Sequence, residues 1–159
     1  MPSLTQSCFS GPSETEIIRR TIGDYLDEIC QRYPDNEALV VRHQGVRWTY
    51  SKFKREIDRL ATGLLALGIE PGDRVGIWGP NSAEWALVQY ATASIGAIMV
   101  CINPAYRLHE LEYALNKVEC RALVTAESFK TSHYLELLQK LAPELASCEP
   151  GKLRAETLP

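Results

Sequence analysis

The side chains most able to do chemistry in this 159-residue chain are five cysteines and three histidines. The cysteines are odd in number, lack a Cys-x-x-Cys pair and stand far apart, whereas a disulfide framework needs pairs and a zinc site needs clustered ligands. The histidines, at positions 43, 109 and 133, are equally scattered. We therefore predict no metal ligands and reduced, unreactive thiols.

No catalytic constellation stands out either. There is no serine in a Gly-x-Ser-x-Gly elbow, no cysteine spaced to pair with a histidine, and no lysine after a glycine-rich loop, so we predict no catalytic residue in this chain. The turn over 76–81 lacks the glycine spacing of a dinucleotide site, and Pro80 removes a backbone N–H that a phosphate would need.

Residues 103–107, Asn-Pro-Ala-Tyr-Arg, follow an apolar segment that reads as a buried strand. Ligands of α/β proteins bind beyond the carboxyl ends of strands, so this segment could line a site. Asn103 and Pro104 could equally do no more than end the strand, and the residues alone leave both interpretations open.

Composition excludes several classes of protein. With 45% hydrophobic residues, 23% charged residues and a net charge of −3, the chain is neither a disordered segment nor a polybasic nucleic-acid binder. The basic residues over 42–59 alternate with apolar ones and indicate the solvated side of a helix. The uncharged stretch 85–106 contains Gly96 and Pro104, which favour a buried helix followed by a strand over a transmembrane helix.

Residues 1–20 lack the apolar core of a signal peptide, and Glu14 and Glu16 are unusual in a transit peptide. The prediction is a cytoplasmic protein, with a mitochondrial location as the alternative if a targeting segment is missing.

Hydrophobic spacing predicts helices over 22–32, 50–67, 82–95, 108–118 and 135–141, and strands over 38–41, 46–48, 75–78, 97–102 and 122–125. Thr21 and Thr49 suit helix N-caps, Asn81 and Glu84 suit a capping box, and Gly68 suits a left-handed C-terminal cap. Because the later strands do not alternate and are separated by helices, we predict an α/β fold with a doubly wound, mostly parallel sheet, helices on both faces and a short β-hairpin. The predicted organisation is a flexible lead (1–20), an α/β subdomain (21–146) and a linker (147–159) with few core-forming residues.

Six motifs then occur in a characteristic order: Trp48-Thr49-Tyr50-Ser51, the segment 67–75, the segment 79–85, Ser94-Ile95-Gly96-Ala97, the segment 103–107 and Glu110-Leu111-Glu112-Tyr113. In this order they closely resemble the beginning of the AMP-forming acyl-CoA synthetases of the acyl-adenylate-forming superfamily, nearest to its fatty-acid ligases. The resemblance implies the N-terminal part of a ligase that converts a fatty or other carboxylic acid, ATP and CoA to acyl-CoA, AMP and pyrophosphate through an acyl-adenylate.

The resemblance also implies what lies elsewhere. The phosphate-binding loop, an acidic residue for the ribose and a mobile lysine are absent here, so ATP and Mg²⁺ are expected to bind only in the longer enzyme, and the chain alone is expected to be inactive. Residues 147–159 would then be a linker that stops before the phosphate loop. The alternative function is a non-catalytic α/β binding or interaction module derived from such a ligase.

The resemblance implies few site residues. The segment with Asn103 and Tyr106 would lie beside the tunnel for the pantetheine arm of CoA, and Lys130 would approach the CoA nucleotide phosphates, although an ordinary solvated lysine explains Lys130 as well. One departure from the family is Lys52, which stands where an acidic residue is usual and places a cation near a helix N-terminus. If later strands are missing, apolar surface on 82–95 or 97–102 is expected to be exposed and to promote self-association.

Overall fold

The computed structural model describes Gly11 and residues 17–159, so Cys8 and most of the predicted flexible lead lie outside the described residues. This part of the chain contains five α-helices: α1 (Ile22–Arg32), α2 (Tyr50–Ala66), α3 (Ala83–Ile95), α4 (Leu108–Lys117) and α5 (Tyr134–Leu141). It also contains seven strands: β1 (Glu37–Val41), β2 (Val46–Thr49), β3 (Arg74–Trp78), β4 (Ile98–Ile102), β5 (Cys120–Thr125), β6 (Ser128–Phe129) and β7 (Ser132–His133). Two 3₁₀ turns are Arg42–Gln44 and Pro143–Ala146.

The central sheet has the order β4-β3-β5, and both pairs of strands are parallel. Successive parallel strands of one sheet require crossover connections, which contain α3 between β3 and β4 and α4 between β4 and β5. β1 and β2 form a separate antiparallel hairpin. The predicted α/β class, with a parallel sheet, helices on both faces and a hairpin, is confirmed.

Alternate residues of β3 enter two different cores. Val75 and Ile77 belong to a cluster built with α1, α2 and α3. Trp78 belongs to a second cluster built with α4 and α5. β3 is therefore buried on both faces, which explains why its sequence shows no polar alternation.

Predicted helix ends are confirmed where the capping residue is local. Thr21 and Thr49 accept hydrogen bonds from the backbone N–H groups of Asp24 and Lys52, at 3.1 and 3.3 Å. Gly68 has φ +83°, and the buried Ile69 returns to the last turn of α2. The cation of Lys52, expected to be unfavourable at the start of α2, pairs with Glu56 one turn later.

The predicted cap of α3 is wrong. Ser82, not Asn81, is the N-cap, and its hydroxyl accepts from the N–H of Trp85 at 3.2 Å. With Ser82 as the N-cap, Glu84 is the second helical residue, so the Asn81–Glu84 capping box does not form. Gln44, in the turn of the β1–β2 hairpin, instead donates to Glu84 Oε2 at 2.8 Å. The Oε1 of Gln44 also accepts from the N–H of Ala83 at 2.7 Å. A residue about forty positions away thus completes this helix N-terminus.

The last helix begins at the buried Tyr134, one residue before its predicted start, and Leu135 is 47% exposed. The segment 147–159, predicted to have few residues able to join a core, packs Leu158 against the second cluster. Thr157 fixes it there, since its hydroxyl donates to the carbonyl of Leu141 at 2.6 Å.

None of the helices in the described ranges is long and apolar enough to cross a membrane. The uncharged stretch 85–106 is divided between α3, the turn at Gly96 and β4.

Replacing Gln44 by alanine is expected to lower the free energy of unfolding by about 1 kcal/mol at pH 7, because one side chain makes two hydrogen bonds at an exposed helix end. The hydrogen bond from Gln44 is the main cause that lowers the pKa of Glu84, against partial burial, which raises it. Because the pKa of this carboxyl group is lower in the folded state, the ionised group stabilises the fold at pH values above its ordinary pKa. This stabilisation is lost as the pH falls through the folded-state pKa. The difference in the free energy of unfolding between the variant and the wild type should therefore become smaller as the pH falls from about 5 to about 3.

Urea unfolding at about pH 7, 5 and 3 measures this effect. Gln139→Ala, at an exposed position of α5, is the control and should change little. A Gln44→Ala difference that does not depend on pH would show that Glu84 takes no part.

Candidate functional site

The carboxyl ends of β3, β4 and β5 meet at one edge of the sheet, where ligands of open α/β sheets bind. Two segments extend from this edge: residues 103–107, which we call the post-β4 loop, and the β6–β7 hairpin, residues 128–133. All three site residues suggested by the sequence, Asn103, Tyr106 and Lys130, lie in these two segments.

The post-β4 loop is a tight turn held by its first residue. The Asn103 side-chain oxygen accepts from the N–H of Ala105 at 2.9 Å, and the Asn103 carbonyl accepts from the N–H of Tyr106 at 3.0 Å. This is the local turn that asparagine favours, and Pro104 adds a fixed φ. Asn103 is exposed, whereas Tyr106 packs in part against the second cluster.

Two buried aromatic residues anchor the loop from other elements. Trp78, at the end of β3, donates its indole N–H to the Asn103 carbonyl at 3.1 Å. Tyr134, the first residue of α5, donates its hydroxyl to the Pro104 carbonyl at 2.8 Å. Both side chains are fully buried, and their ring centroids are 4.0 Å apart. Buried tryptophan and tyrosine need polar partners, and here the loop carbonyls supply them.

Arg107 ends the loop and joins it to the β6–β7 hairpin. Its guanidinium donates to the hydroxyl of the buried Ser132 at 3.1 Å, and its backbone N–H donates to the carboxylate of Glu110 at 3.1 Å. Burial raises the pKa of the Tyr134 hydroxyl, and the nearby charge of Arg107 partly opposes that shift. The hydroxyl therefore stays protonated as a donor at neutral pH.

Lys130 occupies the turn of the β6–β7 hairpin. Its backbone has φ +54°, a left-handed conformation unusual for a residue with a side chain, and its ammonium lies 5.2 Å from the centre of the Phe129 ring. The ion pairs found in the described part of the chain include neither Arg107 nor Lys130. The Lys130 ammonium, which forms no ion pair within the described residues and lies beside an aromatic ring, suits a ligand with both anionic and apolar groups.

The predicted site residues are thus brought together in part. Asn103 and Tyr106 share one loop, and Lys130 lies on a hairpin tied to that loop through Arg107 and Ser132. Within the described residues no hydrogen bond joins Lys130 to the loop itself.

Sequence reasoning missed the two aromatic anchors and the hairpin. The signal for Trp78 and Tyr134 is a large side chain with a polar group at an element's end, next to a strand that stops at Asn-Pro. The β6–β7 hairpin was missed because its turn, Lys130-Thr131, lacks the Asn-Gly or Asp-Gly pair that marks such turns.

In the ranges that the structure describes, no three His, Cys, Asp or Glu side chains come together. Burial is the main cause that raises the thiol pKa of Cys30 and of Cys120, which keeps both protonated.

Comparison with known proteins gives concordant results. The model of the family "AMP-binding enzyme" matches residues 26–156. A medium-chain acyl-CoA ligase, ACSF2, mitochondrial, of Mus musculus is 45% identical over 153 residues, which is 96% of this chain and 25% of that protein. The Bos taurus protein of the same name is 50% identical over 140 residues, 88% of this chain and 23% of that protein.

A solved structure has the same fold. The inhibitor-bound N-terminal domain of FACL13 from Mycobacterium tuberculosis superposes with a TM-score of 0.71 at 27% identity, over 87% of this chain and 32% of that one. The chain therefore spans about a quarter of the length of the curated relatives that it matches.

Proposed function

This chain belongs to the AMP-binding enzyme family, and from that membership we propose that it forms the N-terminal part of an AMP-forming acyl-CoA ligase. Such an enzyme joins a carboxylate to the α-phosphate of ATP, which releases pyrophosphate. The CoA thiol then displaces AMP from the acyl-adenylate to give acyl-CoA. The observation that carries the proposal is 45% identity to a medium-chain acyl-CoA ligase along 96% of this chain.

We propose that this chain supplies scaffold and one side of the CoA entrance. Asn103 and Tyr106 would border the pantetheine arm, and Lys130 would meet the nucleotide phosphates. The support is geometric: these residues lie in the post-β4 loop and the β6–β7 hairpin, at the edge where cations lack carboxylate partners. By contrast, two basic residues of α2 are engaged locally, Lys52 with Glu56 and Lys54 with Asp27 and Asp58, and the chain carries a net charge of −3, so we propose no nucleic-acid partner.

ATP, Mg²⁺ and the catalytic groups belong, on this proposal, to the rest of the enzyme. No cluster of three or more His, Cys, Asp or Glu side chains occurs in the described part of the chain, and the sequence has no phosphate-binding loop. We therefore propose that residues 21–146 are a subdomain without catalytic residues, that 147–159 lead on toward the phosphate loop, and that the chain alone performs no ATP–pyrophosphate exchange.

The proposed substrate acid and the proposed cellular location are taken from the names of the relatives. Because the mouse and bovine relatives are named as medium-chain ligases, we propose a medium-chain fatty acid as the substrate. The same names include "mitochondrial", which favours the mitochondrial alternative, and the comparisons give the cytoplasmic prediction no support.

Self-association is proposed for the chain in isolation. β4 is an outer strand of the sheet, and its Ile98 is 52% exposed. The outer edge of β4 carries no charge to discourage pairing with another strand.

Titration of the ¹⁵N-labelled chain with CoA tests the proposed entrance. We expect backbone amide shifts concentrated in 105–107 and 128–133. Lys130→Ala should weaken CoA binding by about 3- to 5-fold, the amount that one exposed ion pair supplies, and less so at high salt. Lys140→Ala, at an exposed position of α5, is the matched control. Shifts confined to other surfaces, or equal losses in both variants, would contradict the proposed entrance.

A further inference from the structure

The post-β4 loop is held by side chains that the proposed reaction does not otherwise use. We propose that Tyr134 is a positioning residue for CoA binding, because its buried hydroxyl fixes the loop that carries Asn103 and Tyr106. This inference rests on the proposed function, since it concerns the same CoA entrance.

Side chains from other elements hold the backbone of the loop. Pro104 has no N–H, so the loop lacks a backbone donor at that position. The Pro104 carbonyl accepts a hydrogen bond from the hydroxyl of Tyr134 at 2.8 Å. Tyr134 belongs to α5 and lies 30 residues further along the chain. Trp78 secures the preceding carbonyl, that of Asn103, at 3.1 Å. Two consecutive carbonyls are therefore held by two fully buried side chains.

A hydrogen bond between side chains links the two segments that would bind CoA. Ser132 belongs to the β6–β7 hairpin and lies two residues before Tyr134. It accepts from Arg107, the last residue of the loop, at 3.1 Å. The loop is thus tied to the hairpin through Ser132 and to the residue that directly follows the hairpin, Tyr134. These two contacts fix the position of Lys130 relative to Asn103 and Tyr106, so that both segments can contact one ligand.

The hydroxyl and the ring of Tyr134 make different contacts. The Tyr134 ring belongs to the second core and packs against Trp78 in a tilted arrangement with ring centroids 4.0 Å apart, so phenylalanine keeps the packing. The hydroxyl makes the hydrogen bond to the loop. Tyr134→Phe therefore releases the Pro104 carbonyl while it leaves the core in place, which makes it a sharp test of positioning.

The experiment compares Tyr134→Phe with Tyr113→Phe, a control at a tyrosine that is 67% exposed on α4. Amide hydrogen exchange is measured for Ala105, Tyr106 and Arg107, and for core amides of β3 and β5. In Tyr134→Phe we expect loop exchange to rise about 3- to 10-fold more than core exchange, and CoA binding to weaken about 3- to 10-fold, the result of losing one buried hydrogen bond. Ser132→Ala, which cuts the second link, should act in the same direction.

The outcomes separate this inference from the proposed function. If CoA shifts the loop amides of the wild type but Tyr134→Phe binds CoA equally well, the positioning role is overturned and the entrance stands. If core and loop amides accelerate by the same factor, Tyr134 is merely structural and the positioning role is likewise overturned. If CoA shifts none of the loop amides in the wild type, the proposed entrance falls, and the positioning role falls with it.

Discussion

Replacing Arg74 by alanine is expected to lower the free energy of unfolding by about 2–3 kcal/mol, the larger part of which comes from hydrogen bonds to a charged group. The Arg74 guanidinium donates to the carbonyls of Val118 and Glu119 at 2.6 and 3.0 Å, and to the Glu119 carboxylate at 2.8 Å. These carbonyls end α4, where the helix itself offers no donors. The side chain is 29% exposed, which limits the expected loss to this range.

The substitution should also destabilise the backbone that follows α4. Glu119 has φ +49°, a left-handed conformation that costs energy for a residue with a side chain, and Arg74 binds both its carbonyl and its carboxylate. Urea unfolding measures the change. Arg74→Lys should recover only part of it, because an ammonium cannot reproduce the planar fork of the guanidinium. Arg55→Ala, at an exposed position of α2, should change stability by less than about 0.5 kcal/mol. If Arg74→Ala falls in that same small range, Arg74 is not the cap of α4.

Replacing Gly76 by alanine is expected to cost about 1–3 kcal/mol, because it adds a methyl group to a filled core. Gly76 is in the middle of β3, paired with Val100 on one side and Leu123 on the other. A Cβ there would lie 2.9 Å from Leu123 Cδ1, and 3.1 Å from both Cys120 Sγ and Ile102 Cδ1. A methyl group at position 76 would therefore force the side chains of Leu123, Cys120 and Ile102 to shift.

Gly63→Ala is the matched control for this substitution. Gly63 lies within α2, and a Cβ added to it meets no atom within 4 Å. Alanine at this helical position is expected to stabilise the chain by about 0.5–1 kcal/mol. The same chemical change should thus shift the thermal midpoint in opposite directions at the two sites. A stabilising Gly76→Ala would show that the second core is not filled at β3.

Local signals explain how much of the fold could be predicted. Thr21 and Thr49 cap their own helices, and Gly68 ends α2 by itself, so these boundaries follow from nearby residues. The cap of α3 could not be found in this way, because Gln44 reaches it from the β1–β2 hairpin and takes the carboxylate of Glu84. The packing of Leu158 likewise depends on α4 and α5, elements distant from it in sequence.

The candidate site was predictable to a smaller extent. Asn103 and Pro104 mark the end of β4, which locates the loop at the carboxyl edge of the sheet. What holds the loop could not be read from spacing, because Trp78 and Tyr134 approach it from β3 and α5. The proposed role of the loop came from the order of the family motifs, since an isolated Asn and an isolated Tyr do not by themselves indicate a ligand.

We propose that this chain is the first part of a longer acyl-CoA ligase, and sequencing the transcript beyond the codon for Pro159 would test that proposal. We predict that the reading frame continues and encodes a Ser/Thr/Gly-rich loop ending in lysine, the group that holds the ATP phosphates. A genuine stop codon directly after Pro159, with no such loop encoded downstream, would contradict the claim and would favour a non-catalytic module.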